Sequence, residues 1–315
     1  MTGTIVLRND LVSASILPQE GARVSSLKSV KSEVEFLAQP YRRRSLLTPS
    51  LSALFEHGSC AGIEECLPSV GPCGADTDGG AVPDHGDFWQ LEWQVASQAA
   101  TALSCFASGF SRSIRFEKHF QLHENTLEIH YIVRNVGPED TSFLYSCHPL
   151  LAIEPGDHIC LPADVSPMTI DYSYGEKLGR IGDEVFWPYS GDGTDLRIVR
   201  PESEHQANML YTNRLSSGIC GLYRSSYRQG LLLHFDVAAL PYLGVWLCYG
   251  GWPHPPQPPL QYAVALEPTH APVNTLVKAQ KIGLAKFLKP QQTFEWELRF
   301  EIGAPGMSLE EFWPH

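Results

Sequence analysis

Two carboxylates stand at the ends of apolar, β-rich runs, where they could take part in acid–base chemistry. Asp236 follows the run 231–235, and Glu267 follows the run 262–266. A carboxylate accepts hydrogen bonds from hydroxyl groups and can act as a general base. The run before Glu267 is expected to be buried on both faces, where a carboxylate without partners is costly. A functional role is therefore favoured for Glu267, whereas Asp236 could simply cap a turn.

Aromatic residues follow Asp236 closely, namely Trp246, Tyr249 and Trp252. Flat rings can cover the apolar C–H faces of a sugar while carboxylates bind its hydroxyl groups. The same rings would suit a hydrophobic core equally well. Together with the two carboxylates, they predict a pocket for a small-molecule carbohydrate substrate.

Two histidines lie where predicted strands begin or end. His85 is part of the sequence Pro-Asp-His-Gly, and His148 is part of Cys-His-Pro. An imidazole titrates near neutral pH, so either residue could exchange a proton with a substrate. The alternatives are a turn residue for His85 and a core histidine, satisfied by the backbone, for His148. A less favoured alternative is a two-histidine, one-carboxylate metal site completed by Glu267.

Period-two alternation dominates the chain and predicts half-buried strands of antiparallel sheets. One short helix is expected at 274–283, with Asn274 as its cap and Gly283 as its stop. No repeat or linker interrupts the pattern, so we predict one domain over residues 1–315, an all-β sandwich of antiparallel strands with few short helices. Strands are expected at residues 12–17, 24–30, 91–96, 114–122, 127–133, 209–212, 218–223, 231–235, 243–247, 263–266 and 294–302.

Composition and charge limit the kinds of molecule that the protein is expected to bind. The chain has 315 residues and a net charge of -12, and an acidic surface argues against nucleic acid. The basic run Arg42, Arg43 and Arg44 is short and is expected to be solvated. No run approaches the roughly 18 apolar residues of a membrane span, and no signal peptide is recognisable. We therefore expect a cytoplasmic protein whose eight cysteines are buried free thiols. The sequence does not indicate an oligomeric state.

Taken in order along the chain, these segments resemble the galactose mutarotase-like superfamily, and the aldose 1-epimerase family within it. The order is Pro-x-His-Gly at His85, a strand-end histidine at His148, Phe-Asp at Asp236 and Glu-Pro at Glu267. The resemblance covers residues 11–302. It implies a β-supersandwich of antiparallel strands with its site in a concave face. It also implies a reaction in which an aldose ring opens and closes again as the other anomer.

The resemblance further implies a role for each of these residues. Glu267 would be the base that takes the proton of the anomeric hydroxyl, and His148 the acid that protonates the ring oxygen. His85 would steady the sugar near its ring oxygen, and Asp236 would hold hydroxyl groups. No cofactor or metal ion is needed for this reaction.

The chain departs from the family in the segment before the first histidine. Relatives commonly carry an arginine there, whereas this chain has Glu64 and Glu65. An acidic residue repels phosphate, so a neutral sugar is favoured over the substrate of a sugar-phosphate epimerase. Glu65 could bind sugar hydroxyls or lie at the surface. The remaining alternative is a non-catalytic carbohydrate-binding or sensing protein on the same scaffold.

Overall fold

The computed structural model describes residues 3–41, 48–253 and 259–313, and strands dominate it. The basic run at 42–44 lies outside the described residues. The helices are α1 (Leu276–Lys281) and α2 (Leu309–Phe312). The strands are β1 (Ile5–Arg8), β2 (Val12–Leu17), β3 (Arg23–Ser29), β4 (Gly62–Cys66), β5 (Gln94–Gln98), β6 (Ala102–Ser108), β7 (Ile114–His123), β8 (Thr126–Asn135), β9 (Thr141–Phe143), β10 (Ser146–Leu151), β11 (His158–Cys160), β12 (Met168–Ser173), β13 (Glu184–Val185), β14 (Gln206–Thr212), β15 (Ile219–Arg224), β16 (Gln229–Phe235), β17 (Tyr242–Tyr249), β18 (Tyr262–Thr269), β19 (Lys286–Leu288) and β20 (Thr293–Ile302).

Most strands belong to two large antiparallel sheets. The ten-stranded sheet has the order β1-β2-β3-β4-β10-β18-β17-β14-β12-β13. The eight-stranded sheet has the order β11-β15-β16-β20-β8-β7-β6-β5. Strands β9 and β19 form a separate pair. The predicted all-β sandwich of antiparallel strands with few short helices is therefore confirmed.

The eight-stranded sheet shows the alternation on which this prediction depends. In β7, Phe116 and Phe120 are buried, whereas the alternate residues Glu117 and His119 are partly exposed. Tyr131 in β8 and Leu298 in β20 are buried in the same way. The buried residues of this sheet join those of the ten-stranded sheet in one hydrophobic core. One face of the eight-stranded sheet thus packs inward and the other meets water.

Two strands at the middle of the ten-stranded sheet are buried on both faces. All residues of β10 are buried, and so are all residues of β18 after its first. One face of this strand pair contributes to the core, and the other contributes to a cavity. Polar side chains on such strands are costly, so those that occur there mark a candidate site.

Several predicted boundaries differ from the structure, and two of the differences have a clear local cause. The strand expected at 91–96 begins at Gln94, because residues 88–90 form a short 3₁₀ helix first. Helix α1 is capped by Thr275, whose side chain accepts a hydrogen bond from the N–H of Lys278, and not by Asn274. Asn274 lines the cavity instead.

Two further sequence expectations concern the cysteines and membrane spans. All eight cysteines are buried and free, as predicted. Within residues 3–41, 48–253 and 259–313, no helix has the length and apolar character needed to cross a membrane.

Candidate active site

His148 and Glu267 face each other on neighbouring strands. Strands β10 and β18 are antiparallel, and Ser146 pairs with Thr269. His148 follows Ser146 by two residues and Glu267 precedes Thr269 by two, so His148 lies opposite Glu267. Both side chains are buried, and Nε2 of His148 lies 3.7 Å from Oε1 of Glu267. Because the two strands are central to the sheet, neighbouring strands hold the pair on both sides.

The pair lines a cavity of about 380 Å³. This volume is within the usual range of small-molecule sites. The cavity brings together five of the predicted site residues, which are His85, His148, Trp246, Trp252 and Glu267. The other lining residues are Phe55, Glu56, Val70, Asp171, Tyr172, Met209, Tyr211, Gln261 and Asn274.

Burial shifts the proton affinities of the pair in opposite directions. Desolvation raises the pKa of Glu267 to about 8, against a small lowering by the hydroxyl of Ser146, whose Oγ lies 3.4 Å from Oε2. Desolvation, and then the nearby His85, lower the pKa of His148 to about 3. Between these values the pair holds one proton, which resides on Glu267, and both groups are uncharged. Such a pair can give a proton at one atom and take one at another.

His85 reaches the cavity from a loop with an unusual backbone. Its φ of 56° lies in the left-handed region, which is uncommon for a residue with a side chain. The next residue must be glycine, because a Cβ at Gly86 would lie 1.9 Å from the carbonyl oxygen of Leu67. The imidazole stacks on Phe55 with ring centres 3.9 Å apart, and its centre lies 5.2 Å from that of His148. Unusual backbone of this kind is concentrated at functional sites.

Aromatic rings form another part of the cavity wall. Trp246 in β17 donates its indole N–H to Oε1 of Gln261 at 2.7 Å, and its ring centre lies 6.0 Å from that of Tyr172. Trp252, just after β17, packs with the cluster that contains Phe55. The amide nitrogen of Gln261 donates to none of the described residues, so it is available to a ligand. These groups could cover the C–H face of a sugar and bond one of its oxygens.

Several polar residues of the cavity were not predicted as site residues, among them Tyr211, Asp171 and Asn274. Tyr211 in β14 is 3% exposed, and its hydroxyl finds no hydrogen-bond partner in the described part of the chain. A buried polar group without a partner is costly unless a ligand or water bonds it. Asp171 lies at an irregularity of β12 between Ile170 and Tyr172, and Asn274 precedes α1. Tyr211, Asp171 and Asn274 belong to segments that carry no distinctive motif, so a single sequence offers no signal for them.

Glu65 does not contact the cavity, contrary to the sequence expectation. Its Oε1 accepts a hydrogen bond from the hydroxyl of Tyr131 at 2.9 Å, and its Oε2 accepts one from Tyr145 at 2.7 Å. Nζ of the buried Lys118 lies 3.5 Å from Oε1. Glu65 is therefore part of a polar network inside the protein core, and neither of the predicted roles, hydroxyl binding or surface exposure, applies.

Asp236 and Tyr249 are also placed away from the cavity. Asp236 is exposed and accepts a hydrogen bond from the N–H of Ala238, which is the turn-capping alternative. Tyr249 lines a separate cavity of about 210 Å³. Successive residues of a strand point to opposite faces, so Tyr249 and Trp246, three residues apart in β17, cannot face the same cavity. The structure thus places neither Asp236 nor Tyr249 with the other predicted site residues at this cavity.

The ionisable side chains of the cavity lining, other than its two histidines and tyrosines, are carboxyl groups. Glu56 and Asp171 accompany Glu267, which keeps its proton, and no lysine or arginine is found among the described lining residues. In the three described ranges, no three histidine, cysteine or carboxylate side chains are grouped as they would be around a metal ion. The site is therefore shaped for an uncharged or cationic ligand rather than an anion.

Comparisons with known proteins show which solved structures have a similar fold. No protein-family model matches the chain, and no curated protein matches its sequence. The Slr1438 protein from Synechocystis sp. PCC 6803 is similar with a TM-score of 0.71 and 18% identity, over 96% of each chain. A galactose mutarotase-like protein from Lactobacillus casei ATCC 334 is similar with a TM-score of 0.68 and 16% identity, over 95% of this chain and 100% of that one. A galactose mutarotase related enzyme from Lactobacillus acidophilus is similar with a TM-score of 0.68 and 15% identity, over 96% of this chain and 98% of that one. The resemblance predicted from the sequence is confirmed at the level of the fold, and the chain has the galactose mutarotase-like fold.

Proposed function

We propose that the protein is an isomerase of the aldose 1-epimerase type, which interconverts the anomers of a neutral sugar. The observation that carries this proposal is the pair His148 and Glu267, whose Nε2 and Oε1 atoms lie 3.7 Å apart at the cavity. Binding a sugar requires no acid and no base. Anomer exchange requires one of each within the span of a sugar ring, and this pair supplies both.

The reaction uses the single proton that the pair holds. Before a sugar binds, this proton is on Glu267, because burial disfavours both charges. Sugar hydroxyls that enter the cavity donate hydrogen bonds to the carboxylate, which lowers the pKa of Glu267 and lets the proton pass to His148. The ionised carboxylate then takes the proton of the anomeric hydroxyl, and His148 gives its proton to the ring oxygen.

Ring opening and closing complete the exchange of anomers. As the protons move, the bond between C1 and the ring oxygen breaks and C1 becomes an aldehyde carbon. Rotation about the C1–C2 bond turns the other face of the aldehyde toward the same hydroxyl. The reverse proton transfers close the ring and return His148 and Glu267 to their starting states.

Other cavity residues bind the sugar in this proposal. Trp246 and Trp252 cover its C–H faces, since aromatic rings present large apolar surfaces with little side-chain freedom. The hydroxyl of Tyr211 and the amide nitrogen of Gln261, neither of which has a partner among the described residues, bond sugar oxygens in this proposal. His85 meets an oxygen of the sugar near the reacting atoms, because its ring lies 5.2 Å from that of His148.

The charge of the lining favours a neutral sugar over a sugar phosphate. A phosphate carries at least one negative charge and is usually held by arginine, lysine or clustered N–H groups. The described lining offers Glu56, Asp171 and Glu267 instead. A sugar-phosphate epimerase is therefore the less favoured alternative, and phosphorylated sugars belong in the test panel as negative controls.

Exchange between anomers can be measured directly by magnetisation-transfer NMR on a panel of aldoses. Wild-type protein should accelerate the exchange of at least one neutral aldose above its spontaneous rate. Glu267→Gln and His148→Asn should each reduce this turnover about 10²- to 10⁴-fold, the usual contribution of acid–base groups. Tyr249→Phe is the matched control, because Tyr249 lies in the neighbouring strand but faces the other cavity.

The outcomes separate an enzyme from a binding protein. Saturable sugar binding without acceleration for any aldose would reject the enzyme and support the carbohydrate-binding alternative. Unchanged turnover in Glu267→Gln would remove Glu267 from the mechanism. A folded His148→Asn variant with full turnover would leave His148 as a core residue.

A further inference from the structure

Asp84 is bonded to residues that shape the cavity, although it is not itself among the lining residues. Its Oδ1 lies 2.8 Å from Nδ1 of His85, and its Oδ2 accepts the backbone N–H of Phe55 at 2.9 Å. Its carbonyl oxygen accepts the indole N–H of Trp89 at 2.8 Å. The N–H of His85 donates to the carbonyl oxygen of Val70 at 2.6 Å. The loop that presents His85 is therefore held at several points.

These bonds determine which nitrogen of His85 carries a proton. Desolvation is the largest influence and raises the pKa of Asp84, but His85 and the N–H of Phe55 together hold it below its ordinary value. The carboxylate is therefore ionised at neutral pH and can only accept hydrogen bonds. Nδ1 of His85 must then be the donor, while Nε2 is bonded to no described residue.

We propose that Asp84 is a positioning residue that keeps His85 protonated at Nδ1, so that Nε2 is the atom that meets the sugar. The inference rests on the function proposed above. A neutral His85 in this form presents a lone pair at Nε2 and accepts a hydrogen bond from a sugar hydroxyl. His148 has no comparable partner, since its Nδ1 is buried without a hydrogen bond in the described structure. A hydrogen bond therefore fixes which nitrogen carries the proton in His85, whereas no such bond fixes it in His148 in the described structure.

Asp84→Asn tests this assignment because an amide has one accepting and one donating end. The N–H of Phe55 can only donate, so it keeps the amide oxygen on its side. The amide NH₂ group then faces Nδ1 of His85, which must become an acceptor, and the proton of the ring moves to Nε2. The variant should therefore switch the tautomer of His85 with little change in shape.

Long-range ¹H–¹⁵N correlation NMR of uniformly labelled protein, recorded at a series of pH values, reports the tautomer. The signals of His85 are identified by their loss in His85→Gln. We expect wild-type protein to show the Nδ1–H form and Asp84→Asn to show the Nε2–H form. In the anomer-exchange assay, Asp84→Asn should lower kcat/KM about 10- to 100-fold, which is the cost of losing the carboxylate that orients a histidine in metal sites.

A second carboxylate–imidazole pair provides the matched control. Nε2 of His234 lies 3.0 Å from Oε2 of Glu301, on strands of the eight-stranded sheet and outside the cavity. Glu301→Gln should perturb the signals of His234 and leave both the His85 tautomer and the anomer exchange unchanged.

Three outcomes would overturn the inference. The first is a wild-type His85 that is protonated at Nε2, which needs no variant to observe. The second is an Asp84→Asn variant with the tautomer unchanged, and the third is a switched tautomer with full turnover. Failure of the proposed function is distinguishable, because it would leave the expected tautomers in place while no sugar shows accelerated exchange.

Discussion

Glu267 should destabilise the folded protein at neutral and alkaline pH, and Glu267→Gln should relieve this cost. The pKa of Glu267 is raised to about 8 by burial, whereas an exposed glutamate titrates near 4.5. Between these values the folded chain keeps a proton that the unfolded chain has released. The free energy of unfolding therefore falls as the pH rises through this window, by about 1.36 kcal/mol per pH unit.

The size of the effect follows from the two pKa values. Relative to a residue that does not titrate, Glu267 costs about 1 kcal/mol at pH 5 and about 4 kcal/mol at pH 8. The glutamine side chain of the Glu267→Gln variant has nearly the shape of the protonated glutamate and does not titrate. The stability advantage of the variant should therefore grow by about 3 to 4 kcal/mol from pH 5 to pH 8. For a chain of this length, that corresponds to roughly 5 °C in Tm.

Urea unfolding of the wild type and the variant at several pH values between 5 and 8, followed by tryptophan fluorescence, measures this difference. Glu301→Gln is the control, because Glu301 is 40% exposed and its replacement relieves no burial of charge. A stability difference for Glu267→Gln that does not vary with pH would refute the reasoning. So would a variant that is less stable than the wild type at pH 8, because Glu267 would then be ionised and well solvated in the folded state.

Two further predictions concern activity. The kcat/KM for anomer exchange, corrected for the spontaneous rate, should be level from about pH 5 to pH 7 and should halve near pH 8. The reason is that Glu267 then loses the proton that it shares with His148. A kcat/KM that rises through pH 8 would contradict this prediction. Tyr211→Phe should raise KM about 5- to 10-fold with a smaller change in kcat, since its buried hydroxyl lines the cavity and lacks a partner among the described residues. Tyr249→Phe removes a hydroxyl that is equally buried but lines the other cavity, and equal effects of the two variants on KM would remove Tyr211 from the binding site.

Eleven of the twenty strands in the described residues could be predicted from the sequence, because their signals are local. Alternation along β7, β8 and β20 identified each of them within a residue or two. The uninterrupted apolar run before Glu267 indicated burial on both faces, and Glu267 is 2% exposed. These patterns reflect the pleat of a strand and the cost of exposing apolar groups, neither of which depends on distant parts of the chain.

The composition of the cavity could be predicted only in part because it depends on the order of strands in the sheet. Residues of β10 and β18, far apart in the chain, become neighbours through this order. Asp236 has the same local appearance as Glu267, yet it ends a strand of the other sheet and lies in an exposed turn. Tyr211 had no distinguishing motif, because only its face of β14 decides that it meets the cavity.

The proposed acid–base pair and the rest of the cavity wall come from different kinds of structure. His148 and Glu267 lie on central strands, whereas His85 and Trp252 lie in loops and Phe55 begins a short 3₁₀ helix. Loops tolerate sequence change far better than central strands do. A directed-evolution library that randomises loop positions beside Trp252 could retune which sugar is admitted while the acid–base pair keeps its spacing. In the proposed function, central strands therefore hold the acid–base pair, and loops contribute to the choice of sugar.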